Sequence, residues 1–591
     1  MTLSSDAATN DTLQQVLARG AAAMSAGDKA SAEAAFREAC RIAPNDAIAL
    51  HSLGHFLFTE KRTDDAEQVL IQAAAFGALP QSLLILSAIF EERKRYKEAI
   101  LCLERLLKSD LPKHQIHSKV AALKGLLGDA QGERESYRLA VLAEPSDTFS
   151  LFKLADITLK AAREIFATDL AAALRLTEDL YQLSNGNPSV HIQVLPALAE
   201  YTEWQTRRLN GQAPYHAAHM DELFFRHGHK YIEELEEVAT TVCERKPNSE
   251  DSRISLAIAK FCLGKRHAAE ALVRASPQRM ANHVFGTVSF APEFYDELRN
   301  YSADDLTRDL PPLLSEVAMP GNPDGIVYLS CNFSYLHAFA LPMVVSLREK
   351  SPGCAVHLHV MDATPQQVAF IVAFMEKLAP LRFALSVERP GLSEAPVMEA
   401  RSYYHAVRFI RFYRHLMEYQ CPLWIMDVDA IVNRELSSLM SRLPGSDVAV
   451  RVRPGRLEPW NQFNACMVGA NSTEASVEYF RLIAAYIAHF HQRRGLRWGI
   501  DQLAMYGVYA DMHDRDVSPS LSLLDPRDVD YEYQETGYIW TNSGVAKLQH
   551  MKRINTPGAP PLRAPTTTFD VSFERYWQEC VRVASAIGVA L

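Results

Sequence analysis

Residues 421–436 read CPLWIMDVDAIVNREL. The apolar stretch Leu423 to Met426 runs straight into Asp427-Val-Asp429, and Ala430-Ile-Val432 then resumes the apolar pattern. A short buried strand that ends in two carboxylates two residues apart lets both reach one hard cation. Mg²⁺ and Mn²⁺ prefer such oxygen ligands and share them with a diphosphate. Neutralising the charge of a departing diphosphate is the chemistry this pattern suits. The chain has two further D-x-D triplets, Asp514/Asp516 and Asp528/Asp530, but both stand in polar, turn-rich sequence with no strand before them.

Outward from this segment, apolar strands alternate with amphipathic helices. The pattern predicts a strand at Ile326 to Ser330, a helix near Tyr335 to Lys350, and a strand at Ala355 to Met361 (AVHLHVM). A helix from Pro365 to Leu378, a strand from Arg382 to Val387 and a helix from Arg401 to Tyr419 follow, before the buried strand Pro422 to Met426. This order implies an open, mostly parallel α/β sheet with helices on both faces. In such sheets ligands sit at the carboxyl ends of the strands. Pro311-Pro312 and the loop PGNPDG (320–325) mark the start of this domain, expected to span 320–591.

Residues 326 to about 550 resemble the GT-A-fold (Rossmann-like) nucleotide-sugar glycosyltransferases, and most of all the retaining glycosyltransferase family 8. IVYLSCNFSYLHAFALPMVVSL (326–347) resembles the opening strand and nucleotide loop, which implies nucleotide contacts from Ser330, Asn332 and Tyr335. FIRFYRHL (409–416) resembles the helix whose arginine approaches the nucleotide, which implies Arg411, with Arg408 one turn earlier. LWIMDVDAIV resembles the metal strand, with Asp427 and Asp429 as ligands. FNACMVGAN (463–471) resembles the segment beside the sugar, implicating Asn464, and WGIDQLAMY (498–506) resembles the D-Q motif, implicating Asp501 and Gln502 in orienting sugar hydroxyls. The resemblance implies a metal-dependent hexosyltransferase using Mn²⁺ or Mg²⁺ and a nucleotide sugar, UDP-linked by preference; retention of configuration follows from it alone. The chain departs from the family in its opening loop, which lacks the usual acidic residues. TNSGVAKLQH (541–550) also carries Thr541 where the family has a metal-binding histidine. His550 is then a candidate third ligand or a surface residue, and Lys547 a candidate for neutralising diphosphate charge. The loop NTPGAPPLRAPTTT (555–568) either closes over the site or connects to a final helix, Ser572 to Ala590.

The first half repeats itself. Pro44, Pro80, Pro112 and Pro145 recur at near-constant spacing, each expected to end a second helix. Small and apolar residues fall into register with them: Gly20, Ala32, Phe36, Ala39; Gly54, Ala66, Leu70, Ala73; Ala99, Leu103, Leu106; Ala121, Tyr137, Ala140. The turns carry Gly27-Asp28, Lys61-Arg62, Lys94-Arg95 and Gly128-Asp129. The pattern resembles the tetratricopeptide repeat, an all-α solenoid unit. The expected organisation is a disordered tail at 1–10, repeats at 11–150 and an irregular helical connector at 151–319. Within the connector, Ser252 to Ala275 reads as a degenerate helix pair and Asp221 to Glu244 as a long charged helix. His216, His219, His227 and His229 read as solvated rather than metal-binding.

Composition bounds the rest. The 591 residues are 48% hydrophobic and 22% charged, enough apolar material for packed cores. The net charge of −10 gives no basic surface for nucleic acid. The nine cysteines show no C-x-x-C pairing, which suits a reducing compartment. No signal peptide or membrane span is legible, so a soluble, cytoplasmic protein is expected. A solenoid joined to a sugar-transferring domain suggests a protein or peptide acceptor selected by the repeats. The alternatives are a surface-glycan or lipid-linked acceptor, repeats used for homo-oligomer formation, and a non-catalytic scaffold.

Overall fold

The computed structural model describes residues 3–591 except 78, 167–168, 210–227, 277–283, 393–394, 444, 453–456, 525–527, 531–532 and 542–567. It divides into two compact units, Met1–Ala197 and Leu198–Leu591.

The first unit is a run of antiparallel helix pairs: α1 (Leu3–Ser25) with α2 (Lys29–Ile42), α3 (Ala47–Thr59) with α4 (Thr63–Phe76), α5 (Pro80–Glu92) with α6 (Tyr96–Leu106), and α7 (Lys113–Leu126) with α8 (Ala130–Ala143). Each turn inside a pair passes through the left-handed region, with φ of 76° at Gly27, 60° at Lys61, 57° at Lys94 and 76° at Gly128. The next N–H then reaches back five residues to an orphan carbonyl (Asp28 to Ala23, 2.9 Å; Arg95 to Phe90, 2.7 Å) and closes the helix in a Schellman motif. Small residues let the helices of a pair approach. A Cβ on Gly54 would stand 2.5 Å from Leu70 Cγ, and one on Gly20 would stand 2.6 Å from Phe36 Cε1.

Several boundaries differ from the sequence expectation. The first helix begins at Leu3, where a disordered tail was expected. The repeats do not stop at 150. α9 (Thr148–Ile165) and α10 (Leu170–Ser184) form a fifth pair, with fully buried Ala155 34 residues after Ala121, and α11 (Pro188–Leu209) follows. Only Pro44 and Pro145 follow the ends of second helices. Pro80 is the first residue of α5 and Pro112 caps α7, where a missing N–H costs nothing.

The second unit takes in α11 from Leu198 onward and continues with α12 (His229–Arg245), α13 (Glu250–Cys262) and α14 (Arg266–Arg274), then α15 (Pro292–Arg299) and α16 (Ala303–Thr307). The degenerate pair read at 252–275 is α13–α14, turned by Gly264 at φ 73°. These helices are not a connector. Phe261 packs edge-on against Tyr506 at 5.5 Å, and Ile254, Phe261 and Tyr295 belong to the same core cluster as one face of the sheet.

That sheet has eight strands: β1 (Leu314–Val317), β2 (Ile326–Asn332), β3 (Ala355–Met361), β4 (Arg382–Glu388), β5 (Leu423–Met426), β7 (Val448–Val452), β8 (Phe463–Ala470) and β9 (Leu521–Leu523), in the order β1-β4-β3-β2-β5-β8-β7-β9. The strands β6 (Ala430–Val432), β10 (Val529–Asp530) and β11 (Ile539–Thr541) form a second small sheet. The expectation of a mostly parallel sheet holds for β4-β3-β2-β5 and for β7-β9. The pairings β1-β4, β5-β8 and β8-β7 are antiparallel, so the sheet is mixed. One core lies between the sheet and α19 (Val397–Tyr419), α20 (Glu474–Gln492) and α21 (Ile500–Asp514). The other lies against α17 (Leu341–Lys350), α18 (Pro365–Glu376) and α22 (Thr568–Ser585). Burial on both faces explains the unbroken apolar run of β5 and of the first four residues of β2, while β3 also buries His357 and His359.

Candidate functional site

The chain lays down β2, β3 and β4 in one direction, then returns to the opposite side of β2 with β5. The crevice where strand order reverses is where open α/β sheets bind ligands, and Asp427-Val-Asp429 leaves β5 there. The Asp427 N–H donates to Cys466 O in β8 (2.8 Å), which fixes the turn. The Asp427 side chain keeps 27% of its surface exposed, while Asp429 is buried.

Arg408 of α19 is buried behind this turn. One guanidinium nitrogen donates to Asp427 Oδ1 (2.6 Å); the other donates to Ala465 O (3.2 Å) and Asp501 Oδ2 (3.3 Å). Asp501 stands in the first turn of α21, which Gly499 opens at φ 89°, and it is fully buried. Its Oδ1 accepts the Gln502 N–H (2.9 Å), and His405 Nε2 lies 2.8 Å from its Oδ2. The His405 ring stacks on Trp498 (centroids 4.3 Å apart, planes 23° apart), and the Arg401 guanidinium lies 3.8 Å from the Trp498 ring centroid. Burial pushes the Asp501 carboxyl up, but His405, Arg408 and the Gln502 N–H together bring it below its ordinary value. Burial opposes the Arg408 charge as well, and Asp427 and Asp501 outweigh it. The result is an alternating chain of charges, Asp427, Arg408 and Asp501, with the His405 imidazole at its end.

Several predicted residues take other places. Arg411 is drawn away from the site. It pairs with Glu388 (2.6 Å) and donates to Pro311 O (2.7 Å). The arginine at the D-x-D is therefore Arg408, because β4 places a buried carboxylate on the Arg411 side of the helix. Asp501 does not face open space, since both of its oxygens are engaged. Asn464 Oδ1 accepts the Cys466 N–H (2.9 Å), and Gln502 Oε1 is buried with no partner among the described residues. Asn332 caps the helical turn beyond β2 through the Tyr335 N–H (2.9 Å), Tyr335 packs on Phe339, and Ser330 is buried. Lys547, His550, the loop through 567, and His216, His219 and His227 lie outside the described residues. His229 is exposed beside Glu233. The other D-x-D triplets are occupied structurally: Asp514 by Arg266, Asp528 by Arg442 (2.7 Å), and Asp530 by the Gln534 N–H (2.6 Å).

Three residues escaped the sequence reading: Arg401, His405 and Trp498. For the first two the signal was present, because Arg401, His405 and Arg408 recur at steps of four and three, a polar stripe along one face of α19. Among the described residues no group of three or more His, Cys, Asp or Glu side chains converges as a metal site. The D-x-D itself supplies two carboxylates. That number suits Mg²⁺ or Mn²⁺, which keep waters and share phosphate oxygens.

The Tetratricopeptide repeat family model matches residues 17–46. The amino-terminal helix pairs are tetratricopeptide repeats. Among solved structures, MamA from Desulfovibrio magneticus is 15% identical, covering 30% of this chain and 97% of its own, with a TM-score of 0.23. PilF from Pseudomonas aeruginosa is 17% identical (35% and 95% covered, TM-score 0.22). A tetratricopeptide repeat protein from Parabacteroides merdae is 11% identical (45% and 93% covered, TM-score 0.23). No curated protein matches the chain. Within the tetratricopeptide repeats, a cavity of about 390 Å³ is lined by Arg134, Ala161, Ile165, Ala172, Arg175 and Leu176. It joins an apolar lining to two cationic side chains. Among the described residues no helix is long and apolar enough to cross a membrane.

Proposed function

We propose that the second unit is a GT-A-like glycosyltransferase that moves a sugar from a nucleoside diphosphate donor, UDP-linked by preference, to a hydroxyl acceptor. The observation that carries this reading is the meeting of three separately read motifs: the D-x-D, the basic helix and the D-Q pair join through Arg408. They meet at the strand-order reversal, where a nucleotide is expected.

Asp427 and Asp429 are the residues that would hold Mn²⁺ or Mg²⁺, whose chemistry is to neutralise the leaving diphosphate. Arg408 supplies fixed positive charge behind the D-x-D, in a site where such charge acts at low dielectric. Asp501 holds Arg408 and His405 in place. The repeats select the acceptor, which we take to be a polypeptide. The cavity lined by Arg134 and Arg175 suits a segment pairing an acidic residue with an apolar one.

One observation favours a non-catalytic scaffold: Arg408 already occupies an oxygen of Asp427. The two readings part in one experiment. Purified chain is incubated with a panel of nucleotide sugars and Mn²⁺, and release of nucleoside diphosphate is followed. Slow hydrolysis of one donor, lost at least a hundredfold in Asp427→Ala and in Asp429→Ala, is the expected result. No hydrolysis, together with no Mn²⁺-dependent calorimetric binding of UDP or GDP, leaves the scaffold.

A further inference from the structure

Resting on the transferase reading, we infer that His405 is the base that takes the acceptor proton, held in its working tautomer by Asp501. Asp501 itself is fully buried and has both oxygens engaged, so it meets no substrate directly. The group beside it that does reach the surface is the His405 imidazole, whose side chain is 19% exposed. Nε2 lies 2.8 Å from Asp501 Oδ2, so the tautomer protonated on that nitrogen leaves its lone pair on Nδ1, which has no partner among the described residues. A carboxylate behind one ring nitrogen fixes the tautomer and stabilises the imidazolium formed when the other nitrogen takes a proton. Stacking on Trp498 holds the ring plane. The charged groups facing His405 are Asp501 from α21 and Arg401 and Arg408 from its own helix; Asp501 is the one in direct contact.

The acceptor O–H, from a side-chain hydroxyl or from water, gives its proton to His405 Nδ1. The acceptor oxygen forms the bond to the anomeric carbon of the donor. The bond from that carbon to the diphosphate oxygen breaks, and its electron pair leaves with the diphosphate. The imidazolium later returns its proton to solvent. Nothing is oxidised or reduced.

Water serves as acceptor in the test, so no natural acceptor is needed. In His405→Gln, kcat for donor hydrolysis is expected to fall about 10²- to 10⁴-fold. Calorimetric affinity for the unhydrolysed donor should stay within about threefold of the parent. The acidic limb of the parent's kcat/KM profile should disappear. In His405→Ala, added imidazole should restore part of the rate. A His405→Gln chain that keeps the parent kcat and acidic limb overturns the proposal. A chain that loses donor affinity in proportion to rate, with no imidazole rescue of His405→Ala, also overturns it and makes His405 structural. Failure of the parent chain to bind any donor strikes the transferase reading instead.

Discussion

Arg408 and Arg411 stand three residues apart on one helix and answer to different carboxylates. Arg411 is 1% exposed and Glu388 is fully buried, and they face each other at 2.6 Å. Burial alone would push Glu388 up; His359 and Arg411 hold it down at about 2. Removing one partner strands a buried charge, whereas replacing both with apolar residues is often neutral or stabilising. Arg411→Met is therefore expected to cost about 3–5 kcal/mol in urea unfolding, and Arg411→Met with Glu388→Leu to recover most of it. A single variant that loses less than about 1 kcal/mol contradicts this account. Donor affinity of the folded fraction should not change in either variant, since neither residue touches the D-x-D. Helical spacing in the sequence placed both arginines near the right face of α19. It could not say which would meet Asp427, because the deciding partner of Arg411 comes from β4 and that of Arg408 from α21.

At the level of elements, strand and helix boundaries in 355–426 were legible because apolar runs and turn residues alternate cleanly there. The edge strand β1 and the antiparallel return of β7 and β8 were not, because pairing direction leaves little mark on a strand buried on both faces. The helices of 229–307 were misplaced for a related reason. Amphipathic periodicity tells that a face is buried, not what buries it, and theirs packs in the sheet's core. The repeat turns allow a sharper test. Lys61 and Lys94 adopt the left-handed conformation that Gly27 and Gly128 adopt in equivalent turns. A side chain there costs roughly 1 kcal/mol. Lys94→Gly is expected to be stabilising by up to about 1 kcal/mol, despite the added freedom of the unfolded chain. Gly54→Ala should destabilise by about 1–3 kcal/mol, because its Cβ would fall on buried Leu70. Thermal unfolding followed by helical circular dichroism measures both, and opposite signs are the signature. A Gly54→Ala protein as stable as the parent would mean that the helices have room to part.

The whole molecule is built from two units whose response to acid should differ. In the second unit His357 is 3% exposed, bonded to Tyr419 Oη (2.6 Å) and Ser386 Oγ (2.7 Å), with its ring 4.0 Å from that of His415. Burial holds His357 well below its ordinary value and lowers His415 as well. Both are neutral in the native state and protonate more readily when unfolded. Their stabilising contribution is therefore intact above the unfolded value of about 6.5 and is lost as pH falls below it, at roughly 1 kcal/mol per pH unit for each histidine. Glu388 acts only further down, since its lowered value keeps its contribution until pH falls below about 4.5 toward 2. In the repeats His51 is only half-buried, and burial lowers it less. All six tryptophans lie in 198–591, so intrinsic fluorescence reports the second unit, while helical dichroism also reports the repeats. Between pH 7 and 5 the fluorescence-detected melting temperature should drop more than the dichroism-detected transition of the repeats. Two probes that disagree are the mark of two units unfolding separately. In His357→Gln the fluorescence midpoint should depend less steeply on pH over the same range. A steepness equal to the parent's would move the acid sensitivity away from the His357–His415 contact.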